Sequence, residues 1–145
     1  CTAEAVIEVL KANEIDMTGK NVTIVGRSMV VGRPLSMLML KENATVTICH
    51  TRTRDLETEC RRAEILGAAA GKAKMLDGRH VGQDAIVIDV GINVDENGKL
   101  CGDVDFPSIE PLASMATPVP GGVGAVTTAV LAKHLVLAGR RQRGN

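Results

Sequence analysis

The sequence predicts one α/β domain built on a doubly wound, mostly parallel sheet with helices on both faces. Three observations carry this. Short β-branched runs alternate with helical stretches along the chain. Glycine-rich turns (Gly26, Gly71, Gly91 and Gly121-Gly122) fall at the carboxyl ends of successive predicted strands, where ligands bind in such sheets. Apolar residues make up 45% of the 145 positions but aromatics only 1%, so the core must be Val, Ile, Leu, Ala and Met, a composition suited to strands buried on both faces. This length is one domain by size and can bury a proper core.

The elements follow in order. Thr2 is placed to cap a first helix running to about Asn13, with Ala5, Val6, Val9 and Leu10 on one face and Glu4 in its first turn. Asn21 to Gly26 reads as a buried strand, Gly26 to Gly32 as a turn, and Pro34 as the start of a helix continued by Leu35 to Leu40. A second strand covers Ala44 to Cys49, and a polar helix covers Leu56 to Ala63. Ile65 to Ala70 is a third strand with small side chains; Ala85 to Val90 is the fourth and clearest. Asn97-Gly98 marks a hairpin turn between Ile92 and Val104. A short helix over Ser108 to Ser114 leads to a brief strand at Met115-Ala116. The loop Thr117-Pro118-Val119-Pro120-Gly121-Gly122-Val123-Gly124 comes next, then an apolar helical run from Ala125 to Ala138. Residues 139–145, with Arg140, Arg141 and Arg143, read as a solvated, disordered tail to a domain spanning 1–145.

Seventeen basic and seventeen acidic residues cancel, so no global field draws the chain to nucleic acid or an anionic membrane. One Phe cannot supply stacking platforms for single strands. Cys1, Cys49, Cys60 and Cys101 lie far apart, without metal-ligand spacing, and read as reduced core thiols of a cytoplasmic protein. No signal peptide or membrane-spanning apolar run is visible, and the start at Cys1-Thr2 without Met suggests an excised or processed piece.

Two segments carry ligand chemistry. Gly26-Arg27-Ser28-Met29-Val30-Val31-Gly32-Arg33-Pro34 occupies the dinucleotide-fingerprint position between strand and helix, with Ser28 in place of the second glycine, giving a Rossmann-like reading. A serine hydroxyl there can donate to a pyrophosphate. An NAD site wants Asp or Glu at the end of the second strand; here the chain reads His50-Thr51-Arg52-Thr53-Arg54. That cationic, hydroxylic segment favours the 2′-phosphate of NADP, with Arg27 reaching the same spot. The competing reading leaves Arg52 and Arg54 as a solvated loop. The Thr117–Gly124 loop is the second segment: its glycines and prolines fix a backbone path and present bare peptide groups at a helix start.

No catalytic set stands out. The chain has no Tyr for Tyr/Lys hydride chemistry, and no Ser/His/Asp or Cys/His grouping. His134 reads as a core or surface histidine, and His50 is isolated in sequence. His80 reads as solvated, and Asp103 and Asp105 as loop or hairpin residues. Asp89 is the better polar candidate, open to a ligand role or to a structural hydrogen bond with a neighbouring turn.

Gly26-Arg27-Ser28, Val31-Gly32 and Pro34, then Ile88-Asp89-Val90-Gly91-Ile92-Asn93, Gly102-Asp103-Val104 and the Thr117–Gly124 loop closely resemble the bifunctional methylenetetrahydrofolate dehydrogenase/methenyltetrahydrofolate cyclohydrolases. The resemblance runs from Cys1-Thr2 to about Ala138 and covers only that family's carboxyl-terminal, nucleotide-binding domain. It implies oxidation of a tetrahydrofolate derivative, 5,10-methylenetetrahydrofolate, by NADP, and hydrolysis of the methenyl product in the same site. It assigns Gly26, Arg27 and Ser28 to the pyrophosphate and 2′-phosphate, Thr51 to the adenosine ribose, Ile92 to the nicotinamide end and Thr127 to the cofactor side. Pro120, Gly121 and Gly122 become the wall shared with folate. Proton handling in the family falls to a lysine with tyrosine, glutamine and aspartate helpers in an amino-terminal domain absent from this chain, so no catalytic residue and no metal is expected here. The resemblance further implies a homodimer, expected to associate through the hairpin region.

Ala3, Ala73 and Ala125 stand where the family usually has Pro, and Gly67 where a larger apolar residue is usual, a change expected to loosen the third strand. A non-catalytic NADP-binding sensor or interaction module is the alternative, motivated by the missing acid/base set. A shikimate-dehydrogenase-like NADP domain is a weaker one, opposed by the Thr117–Gly124 loop.

Overall fold

Period-two alternation along the strands builds two cores, one on each face of a sheet. A computed structural model of the chain describes residues 2–123. Its main sheet has five parallel strands, β1 (Asn21–Val25), β2 (Thr45–Cys49), β3 (Ile65–Ala68), β4 (Ile86–Asp89) and, after the hairpin strands β5 (Asn93–Val94) and β6 (Leu100–Cys101), β7 (Met115–Ala116). Their order is β2-β1-β3-β4-β7. The chain winds outward one way from β1 to β2 and the other way from β3 to β4 and β7, so the switch point lies between β1 and β3.

Val22 and Ile24 of β1, Ile65 of β3 and Ile88 of β4 point to one face, where they pack with α1 (Thr2–Ala12) and α2 (Gly32–Lys41) through Val6, Leu10, Leu35 and Met39. Val25, Leu66, Ala68 and Val87 point to the other, against Cys60 of α3 (Leu56–Arg61) and Ile109 of α4 (Phe106–Ile109). Doubly wound parallel topology with helices on both faces, as the sequence predicts, is what results. Thr2 is the first residue of α1 rather than a residue before it, α2 opens at Gly32, and α4 runs from Phe106 rather than Ser108.

The Asn97-Gly98 turn forms as expected. Gly98 adopts φ +76°, and the amides of Asn97 and Lys99 donate to Asp95 Oδ1 at 2.8 and 3.0 Å. His80 corrects the sequence reading: it is buried at 6% exposure, not solvated. It closes a short 3-10 helix, Gly78–His80, in which Asp77 and His80 cap one another's backbone amides. The Arg79 guanidinium holds the Asp77 carboxyl well below the usual carboxylate range. Cys49, Cys60 and Cys101 are buried free thiols, and burial pushes Cys60 up to about 12, which keeps it protonated and inert.

Gly67 sits mid-strand in β3, which remains paired along its length with β1 and β4. A Cβ there would meet Leu35 Cδ2 at 3.5 Å and Ile24 Cγ1 at 3.6 Å, ordinary contact distances. Replacing Gly67 by Ala is therefore expected to stabilise the fold by about 0.5–1 kcal/mol, because it restricts the unfolded chain and fills space already available. Urea unfolding monitored by far-ultraviolet circular dichroism measures it; an unchanged or lowered midpoint contradicts the packing described.

Candidate functional site

Five chain segments leave the sheet at its carboxyl edge, and each predicted contact residue within the described range lies on one of them. Gly26 ends β1 at φ +127°, a conformation that favours glycine, and a Cβ added there would overlap the carbonyl oxygen of Ala69. A Cβ on Gly32 would likewise run into the carbonyl of Gly26. The first glycine thus brings the β1 turn against the chain leaving β3, across the switch point. The second lets α2 begin directly behind the turn.

Ser28 has a definite local task. Its Oγ accepts the amides of Val31 at 3.1 Å and Gly32 at 3.3 Å, and its carbonyl accepts Arg33 N–H at 2.9 Å. Since Pro34 has no N–H, the opening amides of α2 are accounted for without a ligand. An anion at this helix start would meet the Ser28 hydroxyl hydrogen, still free to donate, rather than bare amides. Arg27 is exposed, and its carbonyl accepts Arg33 Nε at 3.1 Å.

Thr51 lies level with Arg27. Val25 of β1 and Cys49 of β2 are register partners, so Arg27 and Thr51 each stand two residues beyond a paired position. Gly26 N–H to Cys49 C=O, 2.8 Å, extends that pairing into the turn. Thr51, Arg52 and Arg54 are exposed, while His50 Nδ1 accepts Arg52 N–H at 3.2 Å and Thr53 Oγ1 accepts His50 N–H at 2.8 Å. The side chains of His50 and Thr53 hold the loop's shape and leave Thr51 and both arginines facing outward. No carboxylate occupies the end of β2.

The other end of the edge is apolar. Ile92, Leu100, Pro118, Val119, Pro120, Gly121 and Gly122 line a cavity of about 390 Å3, which Thr2 and Asp89 also border. Such a volume falls in the range of small-ligand sites. Ile92 is 74% exposed, a large aliphatic side chain presented to whatever enters. Gly121 adopts φ +100°, the Val119–Pro120 peptide is cis, and a Cβ on Gly122 would collide with the Pro118 carbonyl. Thr127 and the helical run from Ala125 lie outside the described residues, as do Gly124, His134 and the 139–145 tail. A second depression, bordered by Lys20, Arg61, Arg62 and Asp84, sits at the amino-terminal ends of the strands, away from all these segments.

Sequence reasoning missed what holds the segments together. Asp103, read as a hairpin residue, is fully buried. Its Oδ2 accepts the amides of Ala70 at 2.6 Å and Gly71 at 3.1 Å; its Oδ1 accepts Lys72 N–H and Asn93 Nδ2, both at 2.9 Å. Asp89 resolves to its structural alternative. It accepts the amides of Gly91, Asp103 and Val104 at 2.9–3.1 Å, while its own amide donates to Thr117 Oγ1 at 2.9 Å. Burial pushes its carboxyl above the ordinary range against the pull of those amides, and the Asp103 charge adds to the rise. Both carboxylates are filled with N–H donors, which directs them to binding backbone. Among the described residues no group of three His, Cys, Asp or Glu could hold a metal, and no helix is long and apolar enough to cross a membrane. The missed signal was present: Asp89-Val90-Gly91 and Gly102-Asp103-Val104 each place a glycine beside an acid that ends or follows an apolar run.

Residues 1–143 match the model of the tetrahydrofolate dehydrogenase/cyclohydrolase NAD(P)-binding domain. The chain belongs to this family. The bifunctional protein FolD of Clostridium botulinum is 58% identical over 141 residues, covering 97% of this chain and 50% of that protein. Among solved structures, the bifunctional FolD methylenetetrahydrofolate dehydrogenase/cyclohydrolase of Campylobacter jejuni superposes with a TM-score of 0.94 at 44% identity, covering 98% of this chain and 50% of that one. The Trypanosoma brucei enzyme, solved with NADP cofactor and an inhibitor, gives a TM-score of 0.89 at 37% identity with the same coverage. The chain spans about half the length of the curated relatives it matches. The family's Rossmann-like nucleotide-binding half is the part in hand.

Gly102 offers a direct test of the buried carboxylates. A Cβ there would fall on the Asp89 carboxyl group. Gly102→Ala is expected to cost about 2–3 kcal/mol, at the upper end of overpacking penalties. Chemical denaturation measures it; a loss below 0.5 kcal/mol would mean that Asp89 does not occupy this position.

Proposed function

We propose that this chain is the nucleotide-binding domain of an NADP-dependent methylenetetrahydrofolate dehydrogenase that also carries methenyltetrahydrofolate cyclohydrolase activity. One observation carries the reading. A cationic, hydroxylic end (Arg27, Ser28, Thr51) and an apolar, peptide-walled end (Ile92, Pro120, Gly121, Gly122) share one carboxyl edge across the β1/β3 switch point. A dinucleotide with a 2′-phosphate has that polarity.

The residues fit the cofactor. Arg27 and Thr51 supply a fixed charge and a hydroxyl donor for the 2′-phosphate, with Arg52 and Arg54 adding positive potential. Ser28 supplies the pyrophosphate donor, beside a glycine turn that keeps Cβ atoms out of its path. Ile92 bounds the nicotinamide end, and Thr127 is proposed on the cofactor side of the helix start. When bound, NADP supplies the hydride acceptor.

Hydride leaves a methylene carbon flanked by two nitrogens whose lone pairs stabilise the cation formed, so this step needs no acid or base from the domain. What Ile92 and the Pro118–Gly122 wall contribute is contact, orientation and exclusion of water. Hydrolysis of the methenyl product requires proton transfers, and among the described residues the cleft's two buried carboxylates are already occupied by backbone amides. The proton chemistry is therefore assigned to the amino-terminal half found in full-length relatives. A cytoplasmic homodimer completes the proposal, associating through the hairpin, where Val94 and Leu100 pair and are exposed at 64% and 52%. Sedimentation as a monomer at micromolar concentration would contradict the dimer.

Calorimetric titration of NADPH and NADH tests the cofactor reading. The wild type is expected to prefer NADPH at least tenfold, and Arg27→Ala to remove most of that preference, consistent with about 1.5–3 kcal/mol for a charged hydrogen bond. Preference for NADH, or an unchanged ratio in the variant, contradicts it. The isolated 145-residue chain is expected to show no cyclohydrolase turnover; measurable hydrolysis of methenyltetrahydrofolate would overturn the division of labour.

A further inference from the structure

The cleft's walls are tied to one another by a single run of contacts, and Asp103 is its centre. The Gly26 turn rests on the carbonyl of Ala69. The next three amides, Ala70 to Lys72, converge on the Asp103 carboxylate, as does Asn93 from the segment after β4. Asp103's own amide donates to Asp89 Oδ1 at 3.1 Å, and Asp89's amide donates to Thr117 Oγ1 at the root of the Pro118–Gly122 wall. Gly91 is the only residue type that leaves room for the Asp103 carboxylate beside it, since its Cβ would overlap Asp103 Oδ1. The three amides after β3 therefore face inward and are not open to a phosphate.

We propose that Asp103 is a positioning residue for the nicotinamide half of the cofactor: its carboxylate locks the loop after β3 to the segment carrying Ile92 and Asn93, so that these walls hold one spacing. The inference rests on the NADP reading above. Asp103 touches no ligand. The 2′-phosphate end, built from Arg27 and Thr51, lies on the β1–β2 side and makes no hydrogen bond to Asp103.

That asymmetry supplies the test. In the full-length protein, calorimetric titration compares NADPH with 2′,5′-ADP, which carries the 2′-phosphate but no nicotinamide. Asp103→Asn replaces one acceptor oxygen by a donor facing N–H groups, and is expected to weaken NADPH binding about tenfold or more, as a displacement on the ångström scale can. Its affinity for 2′,5′-ADP should stay within twofold. Asn93→Ala removes one of the four hydrogen bonds without stranding a charge, and should weaken NADPH about threefold with 2′,5′-ADP again unchanged. Arg27→Ala, by contrast, should weaken both ligands. Equal losses for the two ligands in Asp103→Asn, or no loss for NADPH, would overturn the proposal. If that variant does not fold, Asn93→Ala decides on the same criterion. A wild type that binds neither ligand refutes the NADP reading itself, a distinct outcome.

Discussion

A carboxylate sealed from water must find its hydrogen-bond donors inside the protein, and much of this site follows from how two such groups find theirs. Asp103 and Asp89 together gather six backbone amides and one side-chain amide from the segments that follow β3, β4 and β6. Loops rarely bury their backbone because its polar groups go unsatisfied. Here the acids satisfy them, and irregular chain can be packed as firmly as a strand. Gly91 and Gly102 are the complement, each leaving the space that the other segment's carboxylate fills.

The same economy governs the turn after β1. Ser28 closes the start of α2 on itself, Gly26 lets the chain touch its neighbour across the switch point, and Arg27 is left facing outward. Scaffold and proposed recognition are thus divided between adjacent residues. His50 and Thr53 likewise shape the loop after β2, and Thr51 and Arg52 are presented by it.

The strands were legible because each is a short apolar run bounded by turn residues, and their alternation divides cleanly between two faces. The turns were legible because Gly26 and Gly98 require backbone angles that favour glycine. The place of Arg27, Thr51 and Ile92, the proposed contact residues, on the carboxyl edge was legible because each follows a strand. What escaped depends on contacts distant in sequence. Asp103 meets its amides 31 to 33 residues away, and the adjacent Gly102 is the one local sign that sets it apart from Asp95 and Asp105. His80 escaped for a different reason: Asp77 and His80 cap one another within a polar stretch that composition alone marks as surface.

A core assembled from Val, Ile, Leu, Ala and Met has an optical consequence. With no Trp, no Tyr and a single Phe, the domain is nearly transparent at 280 nm and emits almost nothing in the near ultraviolet. Reduced nicotinamide would fluoresce against a dark protein, with no tryptophan to transfer energy to it. Any change in its emission on binding would then report the aliphatic surroundings of Ile92 and the Pro118–Gly122 wall, free of an internal donor.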